Sequence, residues 1–279
     1  MVCPYSLTIP GGVQMQVLGL ARSLRELGYA VQVLAPSDGP PPEAAVTPLG
    51  KSIPFATNGS VAPIAPDPSA AIRTIRALRS ERFDVLHVHE PLVPGPSLTA
   101  VLSGDAPIVG TFHRAGASTA YALLRPIAKR IANRMAVRVA VSEDARRTAH
   151  EGIGGNYTVF FNGIDVERFA QAAAWPTPGP TVFFFGRHES RKGLAVLLEA
   201  RHALGDDVTF WIGGAGPETE ALKERVGNDP RVQWLGRVSD DELASRLAGA
   251  DIACLPSLHG ESFGVVLLVG DVRIRSDAL

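Results

Sequence analysis

Short apolar runs alternate with stretches of helical period along the whole chain. Strand-like runs are read at Val31–Leu34, Val85–Val88, Ile108–Phe112, Val137–Val141 and Thr158–Phe161. Others follow at Val208–Ile212, Val232–Leu235 and Ile252–Leu255, after a strong run at Thr181–Phe185. Several of these are almost wholly apolar, as strands buried on both faces of a parallel sheet must be. Helical periodicity falls between them, over Val13–Leu27, Leu194–Leu204, Glu218–Val226 and Asp240–Ala248. The alternation predicts an α/β fold with right-handed crossovers. Ala170–Pro180, AQAAAWPTPGP, packs three prolines and a glycine ahead of TVFFFG and reads as a linker. Two domains are therefore expected, over 1–169 and 181–279, joined by 170–180. Residues 1–3 read as the tail of a first strand. The second half holds four strand runs where a doubly wound sheet has about six, so the second domain is expected to be incomplete.

Composition narrows the class. The chain has 279 residues, 46% hydrophobic and 20% charged, enough to bury cores and too apolar for global disorder. Its longest fully apolar run, Val265–Val269, is too short to span a bilayer. No basic-then-apolar leader opens the chain. Cys3 and Cys254 cannot build a disulfide framework, so a reducing cytoplasmic setting is expected. The net charge of −1 hides an asymmetry. Residues 1–150 carry 15 Lys and Arg against 10 Asp and Glu, and residues 151–279 carry 12 against 18. Either the halves meet different partners or the charges are merely solvated.

Candidate chemistry clusters after the strand runs, where open α/β sheets bind ligands. Gly11 and Gly12 open the first helix, where glycines either let an anion approach backbone N–H groups or are simply a turn pair. Gly186–Gly193, GRHESRKG, places Arg187, Arg191 and Lys192 after TVFFF. A planar guanidinium and a point charge suit a diphosphate; a solvated basic turn is the alternative. Gly213, Gly214 and Gly216 fit either a phosphate loop or tight strand–helix packing. Glu261 in GESFG stands near a helix start, where it meets a sugar hydroxyl or complements the dipole. His113 ends the run IVGTF, suited to donating to a substrate oxygen or to a structural role. His87 and His89 suggest a metal only if the strand stays regular, and no third ligand is evident. Over 69–82, Arg73, Arg76, Arg79 and Arg82 recur on one side of a helix whose other side is apolar. Such a helix suits an anionic membrane surface or is an ordinary surface helix.

The stretches MVCPYS, PGGVQ, FDVLHVHEP, TFH, AVSEDARR, FNGIDVERFA, GRHESRKG and GESFGVVLL together resemble family 4 of the retaining glycosyltransferases. HVHEP and NGSVA make the chain most similar to its actinobacterial phosphatidylinositol mannosyltransferase branch. The resemblance implies two Rossmann-like domains facing a cleft, the first taking the acceptor and the second a sugar nucleotide. It implies catalytic roles for His113, Arg187, Lys192 and Glu261. Donor binding would fall to Gly11, Gly12, Arg187, Lys192, Gly214, Glu261, Ser262, Phe263 and Gly264. Acceptor binding would fall to Tyr5, Gln14, Asn58, Ser60, His113 and Arg114, and membrane contact to Arg73, Arg76 and Arg79. The implied partners are GDP-mannose, a phosphoinositide lipid and the anionic inner face of the plasma membrane, with no bound cofactor or metal and no nucleic acid. Alternatives are another donor or a soluble acceptor on the same fold, and a non-catalytic remnant. The chain departs from the pattern at Val269, where a second glutamate is expected, at Pro63, where the branch places an arginine, at Arg114 in place of a small polar residue, and around Ser118, where a lysine is lacking.

Overall fold

The computed structural model describes residues 1–57, 60–116 and 124–258. The chain divides into two compact units, Met1–Gly163 and Ile164–Leu279.

The first unit is built on a parallel sheet. β1 (Val33–Ala35) pairs with β2 (Val46–Pro48), and β5 (Leu86–His89), β6 (Ile108–Phe112), β7 (Val137–Ala140) and β8 (Thr158–Val159) pair in sequence order. The two parts are joined by Val2, which bridges Leu34 on one side and Val88 on the other, both in parallel. Its backbone is satisfied both ways: Val2 N donates to His87 O at 2.8 Å, His89 N donates to Val2 O at 2.9 Å, and Cys3 N donates to Leu34 O at 3.0 Å. Residues 1–3, a strand tail in the sequence, therefore occupy the middle of the sheet. Counting them as strand one, the spatial order is 3-2-1-4-5-6-7, the doubly wound pattern with its reversal between strands one and four.

Helices cover this sheet for local reasons. Gly12–Glu26 follows the first strand and buries Val17 and Ala21 against Cys3, Val33 and Ala35. The Pro68–Glu81 helix starts with a proline at its first turn and Asp67 as cap, whose carboxylate accepts from Ala70 N at 2.9 Å. Glu143–Ile153 is capped by Ser142 and carries Glu143 and Asp144 in its first turn, where the dipole favours them. Outside the main sheet, β3 (Ile53–Thr57) and β4 (Ser60–Ile64) form an antiparallel hairpin that sequence periodicity did not predict. Pro54 pairs with Pro63 across it, and Ile53 and Phe55 are exposed, so it lacks the alternation that marks a half-buried strand.

The second unit repeats the scheme. β9 (Thr181–Phe185), β10 (Thr209–Gly213), β11 (Val232–Gly236) and β12 (Ile252–Ala253) form a parallel sheet in the order β11-β10-β9-β12. That is 3-2-1-4, with the reversal between β9 and β12. The uninterrupted TVFFF run is explained by burial on both sides. Val182 and Phe184 join one core with Phe210, Ile212, Leu194 and Leu198, while Phe183 and Phe185 join another with Trp211, Leu247 and Phe169. The proline-rich Ala170–Pro180 stretch has contacts of its own within this unit: Trp175 N donates to Ser245 O at 2.9 Å, and Arg246 lies 4.0 Å over the Trp175 ring. The short Val166–Ala170 helix is tied to the Asp240–Gly249 helix through Arg168 and Asp240 at 3.3 Å.

Candidate functional site

In the first unit the candidate residues gather where the strand order reverses. The loop after Cys3 carries Tyr5, which bridges Ile64 of β4, and Ser6, whose N donates to Pro63 O at 2.9 Å. The same loop leads to Gly11 and Gly12 at the start of a helix that has no side-chain cap and no acidic residue in its first turn. Among the described residues no side chain caps its leading N–H groups, an arrangement that can accept an anion. Gln14 is buried and braces the loop, its Nε2 donating to Ile9 O at 3.1 Å. A Cβ at Gly11 would lie 2.4 Å from Gln14 Oε1, so glycine is needed for that brace.

Beside this loop stands a column of three histidines from β5 and the end of β6. His87 and His89, two residues apart, share a face and stack with ring centroids 4.4 Å apart. His89 stacks in turn on His113 at 5.2 Å, and His89 Nδ1 lies 2.9 Å from His113 Nε2. His87 Nε2 meets Thr111 Oγ1 at 2.7 Å. Burial holds all three neutral: it lowers His87 to about 4 and His113 to about 3, and moves His89 well below the ordinary value of 6.5. Glu90 anchors the strand end, its Oε1 accepting from His113 N at 2.7 Å. Burial pushes the Glu90 carboxyl up, offset in part by the N–H groups of His113 and Arg114 and by the Arg114 charge. Glu90 holds this place with a left-handed φ of 45°. Among the described residues no group of three His, Cys, Asp or Glu side chains is placed to hold a metal.

In the second unit Gly186–Gly193 leaves β9, again where the order reverses. Arg187 and Arg191 flank Glu189, whose carboxylate is only 3% exposed. Arg187 Nε lies 3.2 Å from Glu189 Oε1, and Arg191 Nε lies 3.0 Å from Glu189 Oε2. Lys192 N donates to Glu189 O at 2.8 Å, so one glutamate fixes the frame of all three cations. The neighbouring glycine loop is pressed against this one. A Cβ at Gly214, whose φ is +105°, would fall 1.9 Å from Gly186 O, and one at Gly216 would fall 2.5 Å from His188 O. Backbone contact between the loops accounts for both glycines. His188 pins them, its Nδ1 2.9 Å from Thr219 Oγ1.

The Arg73, Arg76 and Arg79 side chains are exposed on the Pro68–Glu81 helix. They are not equivalent. Arg73 Nε donates to Leu49 O at 2.6 Å and its Nη2 to Ser69 Oγ at 2.9 Å, so it also binds the helix to the β2 end. Ser60 opens β4 opposite Thr57. Asn58, Ser118, Glu261, Ser262, Phe263, Gly264 and Val269 lie outside the described residues. Sequence reasoning did not single out Glu189 or His188, and met Glu90 only as part of the HVHE string weighed as a metal site. Glu189 and Glu90 are carboxylates in otherwise charged or apolar strings, and only the folded structure shows them buried.

Residues 10–168 match the protein-family model described as Glycosyltransferase Family 4, and residues 179–269 match that described as Glycosyl transferases group 1. A phosphatidyl-myo-inositol mannosyltransferase of Mycolicibacterium smegmatis is 41% identical, with 99% of this chain and 75% of the relative covered. One of Propionibacterium freudenreichii is 34% identical over 96% of this chain and 73% of its own length. Among solved structures, Anabaena HepE in complex with UDP and glucose superposes with a TM-score of 0.71 at 18% identity, covering 98% of this chain and 77% of that one. WaaG, a glycosyltransferase involved in lipopolysaccharide biosynthesis, gives a TM-score of 0.63 at 16% identity over 98% and 78%. These two share its fold.

Proposed function

The chain belongs to glycosyltransferase family 4, and from that premise we propose that it transfers mannose from GDP-mannose to a phosphatidylinositol acceptor, with retention at the anomeric carbon. The likeness along nearly the whole chain to phosphatidyl-myo-inositol mannosyltransferases carries this reading. In it, Arg187 and Lys192 grip the donor diphosphate, Gly11 and Gly12 contribute to donor binding, and Glu261 meets the donor sugar. Tyr5, Gln14, Asn58, Ser60 and Arg114 shape the acceptor pocket, and His113 stands by the reacting centre. The bond between the anomeric carbon and the diphosphate oxygen breaks as an acceptor hydroxyl oxygen bonds to that carbon on the same face. The hydroxyl proton passes to the departing phosphate oxygen. Pre-placed cations lower the barrier because negative charge grows on the leaving group.

No helix among the described residues is long and apolar enough to cross a membrane. A peripheral place on an anionic cytoplasmic face, held through Arg76 and Arg79, completes the reading. Incubation with labelled GDP-mannose and phosphatidylinositol vesicles tests it: the label is expected in the lipid fraction. Label found only on soluble inositol phosphate would replace the lipid acceptor, and preference for a UDP-sugar would replace the donor.

A further inference from the structure

The histidine column constrains where protons sit. His89 is 1% exposed and His113 5% exposed, and a single ring nitrogen of each faces the other at 2.9 Å. Two neutral imidazoles in this contact share one hydrogen, which belongs either to His89 Nδ1 or to His113 Nε2. The far nitrogens decide which. His89 Nε2 is sealed from solvent and has no hydrogen-bond partner among the described residues. If His113 Nε2 carried the shared hydrogen, His89 would have to keep its own on that sealed nitrogen as an orphaned N–H donor. Buried donors without partners are the rarest of unsatisfied groups. If His89 Nδ1 carries it, the sealed nitrogen is a bare acceptor, and His113 is left to bear its hydrogen on Nδ1. His113 Nδ1 has no protein partner among the described residues and is not one of the sealed atoms.

We propose that His89 is a positioning residue that holds His113 in the tautomer protonated at Nδ1, so that His113 offers substrate an N–H donor rather than a basic nitrogen. The tautomer follows from the column alone; the clause about substrate rests on the reading of His113 given under the proposed function. A donor here suits an oxygen bearing lone pairs, a sugar hydroxyl or a phosphate oxygen. It leaves the acceptor hydroxyl's proton to the departing phosphate. Around the column stand His87 bonded to Thr111, Glu90 bonded to the His113 backbone, and Ser97 Oγ donating to His89 O at 2.8 Å. Each holds a ring or strand in place without competing for the shared hydrogen.

Long-range proton–nitrogen correlation on the full chain with isotope-labelled histidine rings reads the tautomer directly. The expected pattern is hydrogen on Nδ1 and a bare Nε2 in both His89 and His113. Hydrogen on His113 Nε2 would overturn the proposal, whether or not the protein transfers mannose. The functional arm uses His89→Phe, which keeps a ring but loses the donor, and His89→Asn, whose amide places an N–H where Nδ1 stood. His89→Phe should lower kcat about tenfold, the size of one lost hydrogen bond, with GDP affinity unchanged. His89→Asn should restore most of the loss. Equal kcat in the Phe variant and the parent, or no difference between Phe and Asn, would refute the positioning role. Absence of any transfer by the parent would count against the proposed function, and the ring spectrum would then decide the tautomer by itself.

Discussion

The two parallel sheets share the 3-2-1-4 order around their reversal, and their carboxyl ends differ in chemistry. In Met1–Gly163 the side chains gathered there are imidazoles, stacked and starved of water until they are neutral. In Ile164–Leu279 they are two guanidiniums flanking a buried carboxylate that balances them, with Lys192 next in the same loop. Burial is the cause of the first and pairing the remedy in the second. An isolated buried charge costs too much to keep, whereas one flanked by opposite charges can persist. The same topology can therefore present a neutral hydrogen-bonding surface to a polyol or a cationic one to a diphosphate, depending on what surrounds the side chains.

Removing charge from the cationic side should have the largest effect. Arg187→Ala and Lys192→Ala should each cost about 2–4 kcal/mol of transition-state stabilisation, roughly 10²–10³-fold in transfer. Near-parental turnover by either variant would end the diphosphate assignment.

Acid should break the comparison next, and on one side first. A histidine whose folded value lies below its unfolded value of 6.5 binds protons first in the unfolded chain. Stability is whole above that value and is lost as pH falls toward about 4 for His87 and about 3 for His113. One such histidine withdraws about 3 kcal/mol over the descent. Among its described residues the second unit has only His188 shifted this way. Its Arg201–Asp229–Arg231 cluster, whose Asp229 carboxyl is held low chiefly by the Arg231 side chain, weakens only below the ordinary carboxylate value of 3.8. The aromatic residues report the units separately. All 4 tyrosines lie in the first unit and all 3 tryptophans, Trp175, Trp211 and Trp234, in the second. As pH falls from 6.5 toward about 4, tyrosine absorbance should show unfolding before tryptophan emission does; coincident transitions would mean the histidines are not buried as described.

Glu189→Gln keeps the shape of the cationic frame and removes its charge. A charge-assisted contact is worth about 1.5–3 kcal/mol, so donor KM should rise about tenfold or more while kcat changes less. Unchanged donor affinity would show that Arg187 needs no support. The smallest effects belong to the exposed helix. Arg76→Ser and Arg79→Ser should each weaken binding to anionic vesicles by about 1 kcal/mol, less as salt rises. Arg73→Ser should also lower the melting temperature, because Arg73 alone of the three reaches back to Leu49.

Much of this was legible in the sequence where one physical demand dominated. Ile108–Phe112 and Thr181–Phe185 read to the residue because burial on both faces requires unbroken apolar runs. Thr158–Phe161 read too long: only Thr158 and Val159 join the sheet, and Phe160 and Phe161 are exposed. The Ile53–Ile64 hairpin was hidden by its prolines and outward apolar side chains. GRHESRKG announced its cations, yet nothing in the string distinguishes Glu189 from a solvated glutamate. HVHEP raised a metal, because spacing along one strand puts two rings together and does not show that the next partner is His113 across the sheet.

The bridge through Val2 carries a consequence for synthesis. In synthesis Val2 precedes both of its neighbours: Leu34 follows early, but Val88 comes more than half the length of the unit after Val2. Until then the middle of the sheet is an open edge with unpaired N–H and C=O groups. Closing so long a loop is slow, and exposed edges recruit other chains. The nascent first unit is therefore a natural client for a chaperone that shields extended backbone, and a codon-level pause before Leu86–His89 would lengthen that exposure.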